Sequence, residues 1–166
     1  DKIWEAVKTV ALGAVAKFVE MRETEGAKMK ADILEKLANV EAMVGEVEKI
    51  SPETTEAYTK RLYDKLTELL SSTQIDEQRI LTEAAIFSEK TAVDEETVRL
   101  RSHFAQFREM LEKESLVGRK LDFLVQELNR ETNTIGSKAQ DLRITRLVVD
   151  MKSEIEKIRE QIQNIE

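Results

Sequence analysis

The sequence predicts an all-α protein: long helices whose coiled-coil-like seams pack in an antiparallel helical bundle. Two observations carry this. Proline occurs once and glycine five times in 166 residues, while 36% of residues are charged and 41% hydrophobic, a balance that favours long helices over sheets and tight turns. Apolar residues also step by four and three at Ile33, Leu37, Val40, Val44 and Val47, and again at Ile144, Val148, Met151, Ile155, Ile158, Ile162 and Ile165. That is heptad spacing. The two stretches suit packing on each other or on copies from other subunits.

In chain order, Trp4, Val7, Ala11, Ala14, Val15 and Phe18 recur at helical spacing. Gly26 is a candidate bend before the Ile33–Val47 seam. Ser51 followed by Pro52 reads as a helix start, because the hydroxyl accepts from orphan amides and proline at the first helical position lacks only an unneeded donor. That second helix is expected to run to about Leu70, burying Thr55, Tyr58, Leu62, Leu66 and Leu69, with Ser71 to Thr73 as a polar loop. A shorter helix after Asp76 carries Ile80, Ala84 and Phe87. Asp94 then reads as the N-cap of a helix burying Leu100, Phe104, Phe107 and Leu111. Ser115 to Gly118 form a turn, Arg119 to Ile135 the next helix, and Gly136–Ser137 a hinge before the terminal seam.

Other classes are excluded early. There is room for one domain. Without cysteine there is no disulfide framework or thiolate metal site, which fits a reducing, cytoplasmic setting. No apolar run approaches the roughly 20 residues of a membrane span, so no membrane partner is expected. The opening DKIWEAVKTVALGAVAKF is interrupted by charges, unlike a signal peptide. The net charge of −7 hides an asymmetry: residues 1–97 carry 13 basic and 21 acidic residues, 98–152 carry 11 and 8, and 153–166 carry 2 and 4. The one basic stretch is where a polyanion would land. Ordinary variation of charge along helix surfaces is the bland reading.

The segment GRKLDFLVQELNRETNTIGSK, residues 118–138, is less ordinary. Leu121, Leu124, Val125, Leu128 and Ile135 share an arc of about 100° and form a core stripe. Asp122, Gln126, Asn129 and Asn133 lie on one flank, and Glu127 and Glu131 on the other at i, i+4. Asparagine competes for backbone hydrogen bonds in helices, so two of them need a compensating role, in a polar network to a neighbouring helix or in a site. The only histidine, His103, shares a helical stripe with Glu96, Arg99 and Gln106. Such a stripe suits a phosphate or metal-assisted site, or a merely hydrogen-bonded, half-buried imidazole. A single histidine excludes cleavage by a histidine pair from this one chain; were the substrate RNA, divalent metal held by carboxylates would be the more economical route.

RLRSHFAQF at Arg99–Phe107, GRKLDFLVQELNRETNTIGSK at Gly118–Lys138 and EKIREQIQNIE at Glu156–Glu166 resemble the signature blocks of the YicC/YloC family. RETEG at Arg22–Gly26 adds to the likeness. The resemblance assigns 1–166 to the family's helical C-terminal domain, with a long-helix part at about 1–97 and the signature part at about 98–166. The family's strand-containing N-terminal domain has no counterpart here. It implies a metal-dependent endoribonuclease of single-stranded RNA, acting in bacterial RNA turnover and in stress or stationary-phase adaptation. It also implies a homo-oligomer, with a hexamer among the expected forms. One departure stands at Ser88 to Val93, where the family usually has ADK-x-D-I and this chain has Ala92 in place of an aspartate.

Under that resemblance, Asp122, Glu127 and Glu131 are the expected ligands of Mg²⁺ or Mn²⁺, and His103, Glu127 and Glu131 the catalytic groups. Arg99, Arg101, Arg119, Lys120, Arg130 and Lys138 are expected to hold phosphates, and Asn129 and Asn133 to reach 2′-hydroxyls or fix carboxylates. Aromatic residues are only 5% of the chain and sit mostly at core spacing, so base stacking is not the expected binding mode. The alternative is a helical oligomeric scaffold or RNA-binding adaptor without catalysis.

Overall fold

The structure, a computed structural model, describes residues 2–69, 77–113 and 118–163, which form five helices. They are α1 (Lys2–Leu69), α2 (Glu77–Thr91), α3 (Asp94–Lys113), α4 (Gly118–Lys138) and α5 (Leu142–Ile162). No strand occurs among the described residues. The expected loop at Ser71–Thr73, the signal at Asp76, the turn residues 115–117 and Ile165 lie outside them.

α1 is one helix of 68 residues, where the sequence predicted two. Pro52 lies inside it. An interior proline removes the hydrogen bond to the carbonyl four residues earlier and crowds it, costing about 3 kcal/mol. Tertiary contacts hold the helix through this point. Ile50 packs against the core, Glu53 pairs with Arg143 at 2.8 Å, and Thr54 Oγ1 donates to Asp141 Oδ2 at 3.4 Å. Nor does Gly26 break the helix; it stands in open space, where glycine costs only about 1 kcal/mol against alanine.

Cross-helix pairs fix the topology. Along α1, Lys30, Glu41 and Glu48 meet Glu112, Arg108 and Arg101 of α3, so the two run antiparallel. Asn39 and Glu53 meet Glu154 and Arg143 of α5, again antiparallel. Glu96 and Arg99 of α3 meet Lys138 and Glu131 of α4. α1, α3, α4 and α5 thus form a four-helix bundle, each neighbouring pair antiparallel, while α2 lies outside against α1. There Tyr58 and Phe87 stack in parallel, with ring centroids 3.8 Å apart.

Both heptad seams are buried, and they meet each other within the chain: Ile33, Leu37, Val40, Val44 and Val47 of α1 share one core with Ile144, Val148, Met151, Ile155, Ile158 and Ile162 of α5. Leu100, Phe104 and Phe107 from α3 and Leu121, Leu124, Val125, Leu128 and Ile135 from α4 complete it. Gly136 is not a hinge, since α4 continues to Lys138. Its role is close approach: a Cβ there would come within 3.0 Å of Val148 Cγ1. The turn falls at residues 139–141, where the Asp141 side chain accepts from the Arg143 amide and caps α5.

The first part of α1 is helical, as its spacing predicts, and its apolar residues Trp4, Val7, Val15 and Phe18 are exposed, together with Ile3, Val10, Leu12, Val19 and Met21. The first buried position among the described residues is Ile33. Periodicity marks an apolar face but does not say what covers it, and here no other described element reaches that far. About 40 Å of helix, at 1.5 Å per residue, extends beyond the bundle. The second stretch, Thr55, Tyr58, Leu62 and Leu66, is only half-buried, and among the described helices α2 is the one packed against it. No helix among the described residues is long and apolar enough to cross a membrane.

Ile158 is fully buried. Ile158→Asp is expected to cost several kcal/mol by placing an unpaired charge in the α1–α5 seam, and thermal unfolding followed by circular dichroism checks it.

Candidate active site

The site lies on the seam between α3 and α4. Helical stepping puts Glu96, Arg99 and His103 on one face of α3, and Glu127, Glu131 and Lys138 on one face of α4. Because the helices are antiparallel, each turn down one is matched by a turn up the other. Glu96 pairs with Lys138 at 2.8 Å, Arg99 reaches Glu131 at 3.5 Å, and His103 comes opposite both Glu127 and Glu131. One donor atom from each of His103, Glu127 and Glu131 falls within 4.8 Å of the others.

Burial separates the members of this group. Glu131 is 2% exposed, while Glu127 and His103 are half-buried and open to the groove. Glu127 also accepts from Arg130 Nη1 at 3.2 Å, a side chain mostly in solvent. His103 Nδ1 is buried without a hydrogen-bond partner. A buried imidazole nitrogen left unpaired is costly unless it serves as a donor atom to something else. The set of one nitrogen and two carboxylate oxygens fits a divalent cation, and its nitrogen suits Mn²⁺ better than Mg²⁺, which prefers oxygen.

Arg99 and Lys138 stand as cations along this groove. Arg99 spans two carboxylates, with Nη2 3.0 Å from exposed Glu95 and Nη1 3.5 Å from Glu131. Lys138 is held by Glu96, whose side chain is 5% exposed and whose second oxygen has no partner. Glu96 was legible in the α3 stripe, although sequence gave no reason to bury it.

The remaining expected residues fall elsewhere. Asp122 is not part of the His103–Glu127–Glu131 group. It lies on the other flank of α4 and accepts from Gln126 Nε2 at 2.8 Å. Asn129 is half-buried and Asn133 exposed on that same flank. Arg119, Lys120 and Arg130 are exposed on α4. Arg101 points away from the groove, toward α1, where its guanidinium grips Glu48 at 2.9 and 2.6 Å and lies 3.9 Å from Glu41. This bidentate pairing ties α3 to α1. The hydrogen bond from Arg101 holds the Glu48 carboxyl below the usual glutamate range against a smaller opposing effect of burial.

Residues 47–166 match the family described as endoribonuclease YicC-like, C-terminal. The whole chain is also similar to two curated proteins, each called probable endoribonuclease YicC. It is 46% identical over 167 residues to that of Clostridioides difficile and 34% identical over 166 residues to that of Haemophilus influenzae. The chain spans 57% of the length of each.

The Arg101–Glu48 pair yields a pH prediction. A carboxyl whose folded pKa is lowered adds stability above its unfolded pKa, and that stability is lost as pH falls through the folded value. Wild-type protein is therefore expected to lose this increment on acidification below the ordinary glutamate range, near 4.3 by model peptides. Arg101→Met should lower stability at pH 7 and flatten that acid limb; urea unfolding at a series of pH values measures both.

Proposed function

The chain belongs to the YicC-like endoribonuclease family, and from that premise we propose that the full-length protein is a metal-dependent endoribonuclease. It cuts single-stranded RNA by attack of water, in bacterial cytoplasmic RNA turnover and stress or stationary-phase adaptation. The observation that carries this reading is the convergence of His103, Glu127 and Glu131 within 4.8 Å in a groove flanked by Arg99 and Lys138. His103, Glu127 and Glu131 would hold Mn²⁺ or Mg²⁺, which would supply Lewis acidity and positive charge for the negative charge that develops on the phosphate oxygens. The chain's own residues do the rest. Glu131 and the buried side of His103 keep the floor of the site dry and fixed, which strengthens every electrostatic contact made there. Arg99 and Lys138 bind phosphates beside the scissile bond, and Arg119, Lys120 and Arg130 extend the basic surface along α4. Asn129 and Asn133, one turn apart on the other flank of α4, would meet ribose hydroxyls of a strand that crosses the helix. His103 is the one imidazole these 166 residues offer, and the carboxylates beside it suit a metal-assisted attack by water.

Self-association belongs to the same proposal, and the exposed arm of α1 supports it. Residues 2–17 carry Lys2, Lys8 and Lys17 against Glu5, while 18–26 carry Glu20, Glu23 and Glu25 against Arg22. Two arms laid antiparallel from two copies bring the basic half of each against the acidic half of the other, around a seam of Trp4, Val7, Val15 and Phe18. A second copy of this chain is the occupant that this pattern fits, and the assembly built from such pairs is a homo-oligomer.

Four measurements test the proposal on full-length protein. Glu131→Gln is expected to lower kcat by at least about a hundredfold while RNA affinity changes little, since the lost charge acts in the transition state. EDTA should abolish cutting of labelled RNA. A single 2′-deoxy substitution at the cut site should leave cleavage intact, with a 3′-hydroxyl on the upstream product; arrest there, with 2′,3′-cyclic phosphate on normal products, refutes attack by water. For the arm, Phe18→Asp is expected to reduce the subunit number seen by light scattering without lowering the helical signal. An unchanged mass would remove the arm as an interface.

A further inference from the structure

We propose that Arg99 is the counter-ion that a divalent cation displaces from Glu131, so that cation binding frees the guanidinium for an RNA phosphate and the two ligands bind cooperatively. This rests on the cation reading of the His103–Glu127–Glu131 group and goes beyond it by assigning how the site responds to its ligands.

The starting point is the cost of burying charge. Glu131 is 2% exposed, and an ionised carboxylate so placed needs compensation close by. Arg99 supplies it, with Nη1 3.5 Å from Glu131 Oε2. The same carboxylate contributes a donor atom to the group of three. One oxygen acid thus faces two competing cations. A divalent ion seated at the three donors would sit a few ångströms from the guanidinium. At that range two positive charges repel strongly in a partly desolvated groove.

Arg99 is built to leave. Its side chain is 49% exposed, and its other contact is Glu95 on the groove's lip, 78% exposed, at 3.0 Å. A guanidinium already half in solvent swings outward at little cost in packing. A phosphodiester offers it two acceptor oxygens, whereas its contact with Glu95 runs through Nη2 alone. Lys138 makes the contrast. It is held by Glu96, a carboxylate outside the group of three, so its exchange between Glu96 and a phosphate does not depend on the cation. Two cations in one groove therefore have different duties: Lys138 contributes to RNA affinity under all conditions, and Arg99 chiefly when the cation is bound. Thermodynamic reciprocity then requires RNA to tighten the cation by the same factor that the cation tightens RNA.

The experiment uses full-length protein, with Mn²⁺ binding read from the electron paramagnetic resonance of free Mn²⁺. Single-stranded RNA binding is read by stopped-flow anisotropy before turnover. Wild-type protein is expected to bind RNA about tenfold more tightly in Mn²⁺ than in EDTA, within the usual range of such couplings. Arg99→Gln should act with opposite signs on the two ligands, binding Mn²⁺ about tenfold more tightly without RNA and binding RNA more weakly, with the coupling cut severalfold. Arg99→Lys, which keeps the charge, should stay near wild type in Mn²⁺ affinity. Lys138→Gln should weaken RNA equally in Mn²⁺ and in EDTA. Circular dichroism confirms that each variant is folded. If Arg99→Gln binds Mn²⁺ no more tightly than wild type, or keeps the full coupling, the inference is overturned while the cation site stands. If wild-type protein binds no stoichiometric Mn²⁺, the cation site falls and the inference with it.

Discussion

Two carboxylates buried where α3 meets α4 constrain everything around them. Glu96 and Glu131 are 4% and 2% exposed, and neither can be ionised there without a cation at hand. Breaking such a pair by removing one partner costs about 3–5 kcal/mol. The charges that compensate them, Lys138 and Arg99, must therefore lie on the same seam. They come from opposite ends of the two helices, as antiparallel packing requires. An apolar pair at these positions would hold the helices together equally well or better. Charge retained at this cost, beside an imidazole nitrogen with no partner, separates the seam from an ordinary bundle interface.

α1 is the spine on which this seam is mounted. It is the one helix that touches α2, α3 and α5, and its contacts divide by type along its length. Residues 33–47 supply apolar knobs to α5. Glu41 and Glu48 clamp Arg108 and Arg101 of α3. Past Pro52, the pairing of Glu53 with Arg143 and of Thr54 with Asp141 fastens the turn between α4 and α5. The same contacts that carry the helix through a proline thus hold the end of α4 that bears Lys138. Stability and site share one set of attachments here.

What the sequence made legible follows from what periodicity can encode. A seam such as Ile144 to Ile162 names its buried positions outright, because only one face of a helix can meet a neighbour, and every one of those positions is in the core. The α3 stripe of Glu96, Arg99 and His103 was visible for the same reason, and so was the i, i+4 pair Glu127 and Glu131. Partner identity was not encoded locally. Asp122 shares a helix with Glu127 and Glu131 but faces another flank, which a list of acidic residues does not reveal. Arg101, two residues from Arg99, points to α1 and serves the fold. Ser51–Pro52 carries the local signature of a helix start, and only the contacts to Asp141 and Arg143, some ninety residues away, make it an interior position. The arm shows the same limit, since its apolar spacing is real and no described residue covers it.

The geometry of the site is in the end a question of helix register. The donors of His103, Glu127 and Glu131 gather within 4.8 Å, whereas slipping α4 along α3 by one turn would move its side chains by about 5.4 Å. Register must therefore be held more tightly than one turn. The polar ladder alone does not do this, because long lysine and arginine side chains accommodate such a shift. The apolar residues between the two helices do: Leu100, Phe104 and Phe107 pack with Leu121, Leu124, Leu128 and Ile135 in a core with almost no exposure, where close-packed side chains admit discrete arrangements only. Gly136 does the like on the other side of α4, where a Cβ would come within 3.0 Å of Val148 Cγ1 of α5. Placement of the donor atoms is thus set by residues that never touch them, and the polar groups are left free to exchange partners.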